Sequence, residues 1–532
     1  MTVPTRIRRL KWLLPLWLTA ALLLTAGWYA SAQDTARTAP PATGNGTSEI
    51  AREAQTPESG IARDPATPAT RGNEQPAASG QPTAQQRAQA ARTEAAGGTL
   101  AERAVSLLGL VVFILIAFLL SVNRRAVDWR LVAWGIGLQF IFALLILKTT
   151  AGYEFFDTAN DIFNAMIGYT VEGAKFLFGN LVWNNVPVGP APNNMMPVAA
   201  SGTWANTGGY FAFNVLPTII FFSSLMTLLY HIGIMEWVVK GFGWLMMKTM
   251  KISGAESLST AGNIFLGQTE APLLVKPFIP TMTKSELHCI MVGGFGTVAG
   301  GVLAAYVGIL VAYFPDIAGH LISASVMSAP ACIAISKVMY PETEEPVTRG
   351  KLGMKLEKVD ANVIDAAARG ASEGLSLALN VGAMLVAFIA LLALINGLLG
   401  WGFGLVGVEG FSIQRVLGWI GAPLAWLMGT PWQDAVAVGT LIGEKTALNE
   451  FVAYLHLGSM LQEGVLQDPR SVVIATYALC GFANFSSIAI QLGGIGGMAP
   501  ERRADLSRLG LRAMIAGTLA NFMTACVVGI LL

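Results

Sequence analysis

Gly262-Asn263-Ile264-Phe265-Leu266-Gly267-Gln268-Thr269-Glu270-Ala271-Pro272-Leu273-Leu274-Val275 sets an amide, a hydroxyl and a carboxylate side by side in an otherwise strongly apolar chain. The apolar runs around this cluster, between Leu258 and Ile279, are too short to cross a bilayer, since a span takes about 20 apolar residues. Two half-depth helices meeting at a polar tip fit the pattern. A carboxylate at membrane depth is costly unless it faces protein or a wet cavity, so Glu270 stands out as a functional residue. From this stretch alone an aqueous loop is the alternative, and a second cluster downstream bears on the choice.

The 532 residues are 53% hydrophobic and 13% charged, against about 25% charged in an ordinary soluble domain. The chain therefore reads as an all-α polytopic membrane protein. A net charge of +1 gives no ground for a nucleic-acid partner. Cys289, Cys332, Cys480 and Cys526 lie in apolar segments without CxxC spacing and read as small buried thiols. The four histidines never fall at metal-ligand spacing, so a metalloenzyme has no support.

Arg6, Arg8, Arg9 and Lys11 precede an apolar run from Trp12 to Trp28, and Ala30-Ser31-Ala32 supplies a cleavage site, so residues 1–32 are expected to be a signal peptide. An uncleaved first helix is the competing reading. Residues 33–100 have almost no aromatic or branched apolar residues and are expected to form a disordered periplasmic leader. Residues 101–210 hold scaffold spans, an amphipathic interfacial helix from Phe155 to Phe178 and a neutral external loop from Asn180 to Gly209. Arg124, Arg125 and Arg130 mark the cytoplasmic side after the first span.

Residues 211–340 and 366–532, joined by a charged cytoplasmic loop at 341–365, repeat one order: span, interfacial helix, broken hairpin, interrupted helix, span. The hairpins fall at 254–280 and 421–455, and the count is eight transmembrane spans plus two oppositely oriented re-entrant hairpins. Leu266-Gly267-Gln268 resembles Ile442-Gly443-Glu444, and Gly294-Phe295-Gly296-Thr297-Val298 resembles Gly481-Phe482-Ala483-Asn484-Phe485. Clustered glycines around Thr297 fit an unwound helix or close packing equally well. Paired discontinuous segments in an inverted repeat point to a substrate site near the membrane midplane of a secondary transporter. The polar inventory on these elements is Gln268, Thr269, Glu270, Glu444, Lys445, Asn449, Glu450, Asn484, Ser486 and Ser487. Amides match a nucleobase edge and a carboxylate accepts from two vicinal hydroxyls, so a neutral hydroxyl-rich or heteroaromatic solute fits. Without an arginine in the clusters, an anionic substrate does not. Lys445 is the exception and reads as neutralising a neighbouring glutamate.

Gly267-Gln268-Thr269-Glu270-Ala271-Pro272, Gly443-Glu444-Lys445-Thr446-Ala447-Leu448-Asn449-Glu450-Phe451-Val452-Ala453-Tyr454 and Tyr477-Ala478-Leu479-Cys480-Gly481-Phe482-Ala483-Asn484-Phe485-Ser486-Ser487 closely resemble the concentrative nucleoside transporters, in that family's order. The resemblance covers Val105 to the C-terminus. It implies a homotrimer that imports nucleosides by elevator-like alternating access, while the signal peptide and the arginine-marked loops place it in the inner membrane with leader and C-terminus periplasmic. It assigns the nucleobase to Gln268, Thr269 and Glu270, the ribose to Glu450, Asn484 and Ser487, and apolar contacts to Val302 and Phe482. A sodium ion is assigned to Asn263, the carbonyl of Leu266, Thr297 and the carbonyl of Val298. These neutral oxygens suit sodium, with proton coupling through Glu270 or Glu450 as the alternative. An intramembrane enzyme with Glu270 and Glu450 as acid and base, or a channel, accounts less well for two opposed hairpins.

Overall fold

The computed structural model describes residues 97–182, 185–187, 204–206, 211–350, 360–405, 407 and 410–532. The expected signal peptide, nearly all of the expected leader, most of the 180–209 loop and residues 351–359 lie outside the described residues.

Polar capping signals start the helices. Thr99 and Glu102 form a reciprocal capping box on α1 (Leu100–Leu119), and Asp128 caps α2 (Trp129–Lys148). Each satisfies N–H groups that the first helical turn leaves without partners. The amphipathic α3 (Thr150–Phe178) follows. A short antiparallel ribbon then pairs β1 (Asn185–Pro187) with β2 (Trp204–Asn206), Val186 opposite Ala205. The first repeat comprises α4 (Leu216–His231), α5 (Ile234–Met250), α6 (Gly254–Gly262), a 3-10 arm (Ala271–Thr281), α7 (Lys284–Gly296), α8 (Gly300–Leu310) and α9 (Ile317–Met339).

The same order then recurs. It runs α10 (Val363–Gly404), α11 (Ile413–Leu427), α12 (Trp432–Ala447), α13 (Glu450–Gln462), α14 (Pro469–Leu479), α15 (Phe485–Met498) and α16 (Arg503–Leu531). Among the described residues, seven helical stretches are long and apolar enough to cross a membrane. The eighth expected crossing is divided into α14 and α15 at Cys480–Asn484. At 42 residues α10 is about 60 Å long. That exceeds the ~30 Å hydrocarbon core, so a crossing there is tilted or extends beyond it.

The first hairpin is not a simple pair of α-helices. Ser253 and Glu256 box the start of α6, whereas the returning arm contains Pro277 and Pro280 and winds as 3-10. Proline removes a donor and clashes with the preceding turn, which excludes a regular α-helix there. Its end is held by Arg502, whose Nη1 donates to the carbonyls of Pro280 (3.0 Å) and Met282 (2.6 Å). At the base, Gly254 N–H donates to the Thr348 carbonyl at 3.0 Å, and the fully buried Glu256 pairs with Lys337 of α9. In the second repeat the polar turn lies at Leu448–Asn449, and its arms run from Trp432 to Gln462. They begin and end later than 421–455, because α11 occupies residues 413–427 as a separate helix packed along α12.

Candidate functional site

The middle of the structure is built from helix ends. Asn449 caps α13, accepting from Val452 N–H at 2.9 Å. Asn484 caps α15, its Oδ1 accepting from Ser487 N–H at 2.8 Å and from Ser486 Oγ at 2.7 Å. These caps are what allow two half-helices to begin inside the fold. The other Asn484 amide atom, Nδ2, donates to Glu450 Oε2 at 2.8 Å. Tyr306 on α8 donates to Glu450 Oε1 at 3.0 Å and stacks on Tyr454 with ring centroids 4.3 Å apart. Gln268 Nε2 donates to Ser487 Oγ at 3.1 Å, and Gln491 Nε2 donates to Gln268 Oε1 and to the Met291 carbonyl, both at 3.1 Å.

A continuous polar chain thus runs Gln491–Gln268–Ser487–Asn484–Glu450–Tyr306 through both hairpins and both interrupted helices. All six side chains are buried. Of the residues expected to hold substrate, Gln268, Ser487, Asn484 and Glu450 are joined in it. Val302 is buried one helical turn before Tyr306, and Phe482 is half-buried in the break before Asn484. Thr269 lies over α15, where a Cβ on Gly494 would fall 2.5 Å from its methyl group. Glu270 stands apart from the chain: it is exposed, its carboxylate folds back over Gly267, and it lies within electrostatic reach of Tyr230 on α4.

Of the set expected to hold a cation, Asn263 packs against Gly293 of α7 and Thr297 follows the end of that helix. Asn263 is fully buried with neither side-chain amide atom hydrogen-bonded among the described residues. A Cβ on Gly293 would sit 3.1 Å from Asn263 Nδ2 and 3.4 Å from the equally unpartnered Thr260 hydroxyl. Thr297 Oγ1 donates to the Gly293 carbonyl at 2.8 Å, which leaves its lone pairs free. Leu266 follows in the tip, tied through Phe265, whose carbonyl accepts Gly300 N–H at 2.9 Å, and Ile264, whose carbonyl accepts Ser325 Oγ at 2.8 Å. Val298 is buried in the break between α7 and α8. Unpaired buried amide and hydroxyl oxygens are costly unless something fills the space between them, and neutral oxygens suit a hard cation.

Two polar groups were missed, and a third has partners beyond the expected glutamate. Lys445 lies within electrostatic reach of Glu450 but hydrogen-bonds elsewhere: its Nζ donates to the Ala478 carbonyl (2.9 Å) and to Asn521 Oδ1 (2.8 Å), while Glu444 Oε2 accepts from His456 Nδ1 at 2.8 Å. Gln491 and Tyr306 escaped notice, yet spacing carried the signal. Asn484, Ser487 and Gln491 share one helix face, and Tyr306 is four residues beyond Val302.

The Na+ dependent nucleoside transporter N-terminus model matches residues 108–181, the nucleoside recognition (Gate) model residues 212–313, and the Na+ dependent nucleoside transporter C-terminus model residues 320–529. Solute carrier family 28 member 3 of Mus musculus is 44% identical over 440 residues, covering 80% of this chain and 58% of that protein. Sodium/nucleoside cotransporter 1 of Mus musculus is 42% identical over 443 residues, covering 81% and 64%. The chain thus spans about six-tenths of the length of these curated relatives. A solved structure of CNTnw in an inward-facing substrate-bound state shares 43% identity and a TM-score of 0.71, covering 80% of this chain and 97% of that one. The family is one of transporters rather than enzymes, and this chain belongs to it: it is a concentrative, Na+ dependent nucleoside transporter family member.

Proposed function

We propose that the protein imports nucleosides across the inner membrane together with sodium, by elevator-like movement of both hairpins against a static scaffold within a homotrimer. The observation that carries this reading is the buried chain from Gln491 to Tyr306, because its donors and acceptors match a nucleoside. Glu450 and Asn484 offer a carboxylate and an amide to vicinal ribose hydroxyls, and Gln268 offers both an acceptor and a donor to a base edge. Ser487 and Thr269 border the same face of α15, Glu270 supplies a further acceptor at the tip, and Val302 and Phe482 supply apolar surface. Sodium, the co-transported cargo, is held by Asn263, Thr297 and the carbonyls of Leu266 and Val298, with Thr260 as an added oxygen.

The first hairpin touches both sites. Asn263 and Leu266 face the cation, while Gln268 follows two residues later toward the nucleoside. Ion binding orders the tip, raises nucleoside affinity, and by reciprocity is strengthened by nucleoside. Uptake of labelled uridine into proteoliposomes is the test. An inward sodium gradient drives accumulation, and a proton gradient alone does not. Absence of gradient-driven uptake of any nucleoside contradicts the proposal, and accumulation driven by protons alone moves the coupling to Glu270 or Glu450.

A further inference from the structure

Asn521, in the middle of α16, belongs to neither site but bonds to the helix ends that carry both. Its Nδ2 donates to the Gly296 carbonyl at 2.7 Å and to the Cys480 carbonyl at 2.6 Å. Gly296 ends α7 directly before Thr297, and Cys480 ends α14 four residues before Asn484. Asn521 Oδ1 accepts from Lys445 of the second hairpin, whose ammonium also takes the Ala478 carbonyl. The residue is fully buried. Carbonyls at a helix C-terminus have no partner within their own helix and need one when buried. One side chain meets that need for both interrupted helices at once.

The backbone is shaped to bring the two breaks to this amide. Gly481 has φ +152, and a Cβ there would lie 2.5 Å from Asn521 Oδ1 and 2.8 Å from the Phe295 carbonyl. A Cβ on Gly517, one turn before Asn521 on α16, would lie 2.5 Å from Phe295 Cβ. Both positions therefore require glycine for the α7 end, the α14 end and α16 to close on each other.

We infer that Asn521, held by Lys445, is the positioning residue that couples the cation site to the nucleoside site. A displacement of the α7 end when Thr297 and Val298 ligate the ion shifts the Asn521 amide. That shift is passed to Cys480, and so to the Asn484 cap that holds Glu450. The inference rests on the proposed sodium–nucleoside symport and adds the path by which one ligand acts on the other.

The test is the ratio of uridine dissociation constants for the purified full-length protein in choline and in saturating sodium, for the parent, Asn521→Leu and Asn521→Asp. Asn521→Asp keeps the acceptor for Lys445 and loses the donor to both carbonyls, so it remains informative where Asn521→Leu fails to fold. Coupling between two sites is typically worth roughly 5- to 150-fold, and the parent ratio falls in that range. In the variants the ratio collapses to within about twofold of one, while uridine still binds in saturating sodium. A purely structural role weakens binding in both salts and leaves the ratio unchanged. An unchanged ratio in a folded variant overturns the inference alone. A parent with no sodium effect contradicts the proposed function, and the inference with it.

Discussion

Asn484 Nδ2 donates to Glu450 Oε2 at 2.8 Å, so the residue that caps one half-helix also fixes the first residue of another. With Tyr306 on the second carboxylate oxygen, Glu450 has a defined orientation before any ligand arrives. A hydrogen bond to a charged group is worth about 1.5–3 kcal/mol. Glu450→Gln replaces one acceptor with a donor that faces either the Asn484 amide or the Tyr306 hydroxyl. Its expected effect is a roughly ten- to hundredfold weaker uridine affinity, with unchanged helicity, read by equilibrium binding and circular dichroism.

Gln491 bears on the proposed nucleoside site through Gln268, since its Nε2 bridges Gln268 Oε1 and the Met291 carbonyl. Gln491→Ala releases Gln268 and costs about 1 kcal/mol, a roughly fivefold rise in the uridine KM with little change in maximal uptake. Gln491→Glu keeps an acceptor and loses the donor, so it behaves like the alanine variant. Uptake kinetics in proteoliposomes distinguish this from a loss of folded protein, which lowers the maximal rate instead.

The pair of Glu256 and Lys337 locks the base of the first hairpin to α9, and Lys337 also donates to Ser285 Oγ at 2.8 Å. Removing one member of a buried pair strands the other, at a cost of about 3–5 kcal/mol. Lys337→Met alone therefore lowers the thermal midpoint sharply. Glu256→Gln combined with Lys337→Met recovers most of that loss, because the fully buried carboxylate is no longer charged and the second partner of Lys337, Glu342, is partly exposed to solvent. The double-mutant cycle in detergent thermal-shift assays checks the sign of the coupling.

At the foot of α10, Arg369 holds Asp360 through a fork, Nε to Oδ1 at 2.6 Å and Nη2 to Oδ2 at 2.9 Å. These bonds to Arg369 keep the Asp360 carboxyl below the usual aspartate range. A depressed carboxyl pKa contributes stability that is complete above the unfolded value, near 3.9, and disappears as pH falls through the folded value. Because the arginine is partly exposed, the contribution is modest, under about 1 kcal/mol. The difference in thermal midpoint between the parent and Asp360→Asn is accordingly constant from neutral pH down to about 5 and shrinks below about 4.

Much of this architecture could be read from residue patterns with a direct physical cause. Thr99-x-x-Glu102, Ser253-x-x-Glu256 and Thr283-x-x-Glu286 each form a capping box, a helix-start pattern that a hydropathy reading passes over. The polar tips at Gln268 and Asn449 were visible because polar side chains interrupt apolar runs. The outer limits of the second hairpin were not, since α11 and α12 are both apolar. The turn signal Gly429-Thr430-Pro431 marks their junction. The 3-10 winding of the first hairpin's return arm follows from Pro277 and Pro280, which hydropathy ignores. Asn521 was illegible because a single amide in the run Leu519-Ala520-Asn521-Phe522-Met523 gives no hint of the two helix ends that meet it. Long-range partners of that kind appear only when the interrupted helices are folded together.

The most direct measurement is an experimental density map of the protein with uridine and sodium bound. The ribose hydroxyls are expected within hydrogen-bonding distance of Glu450 and Asn484, the base against Gln268, and the cation between Asn263, Thr297 and the carbonyls of Leu266 and Val298. The contradicting result is uridine seated elsewhere, for example in the roughly 490 Å³ cavity lined by Phe156, Phe314 and His320, with Glu450 and Asn484 still bonded to each other, to Tyr306 and to the start of α15.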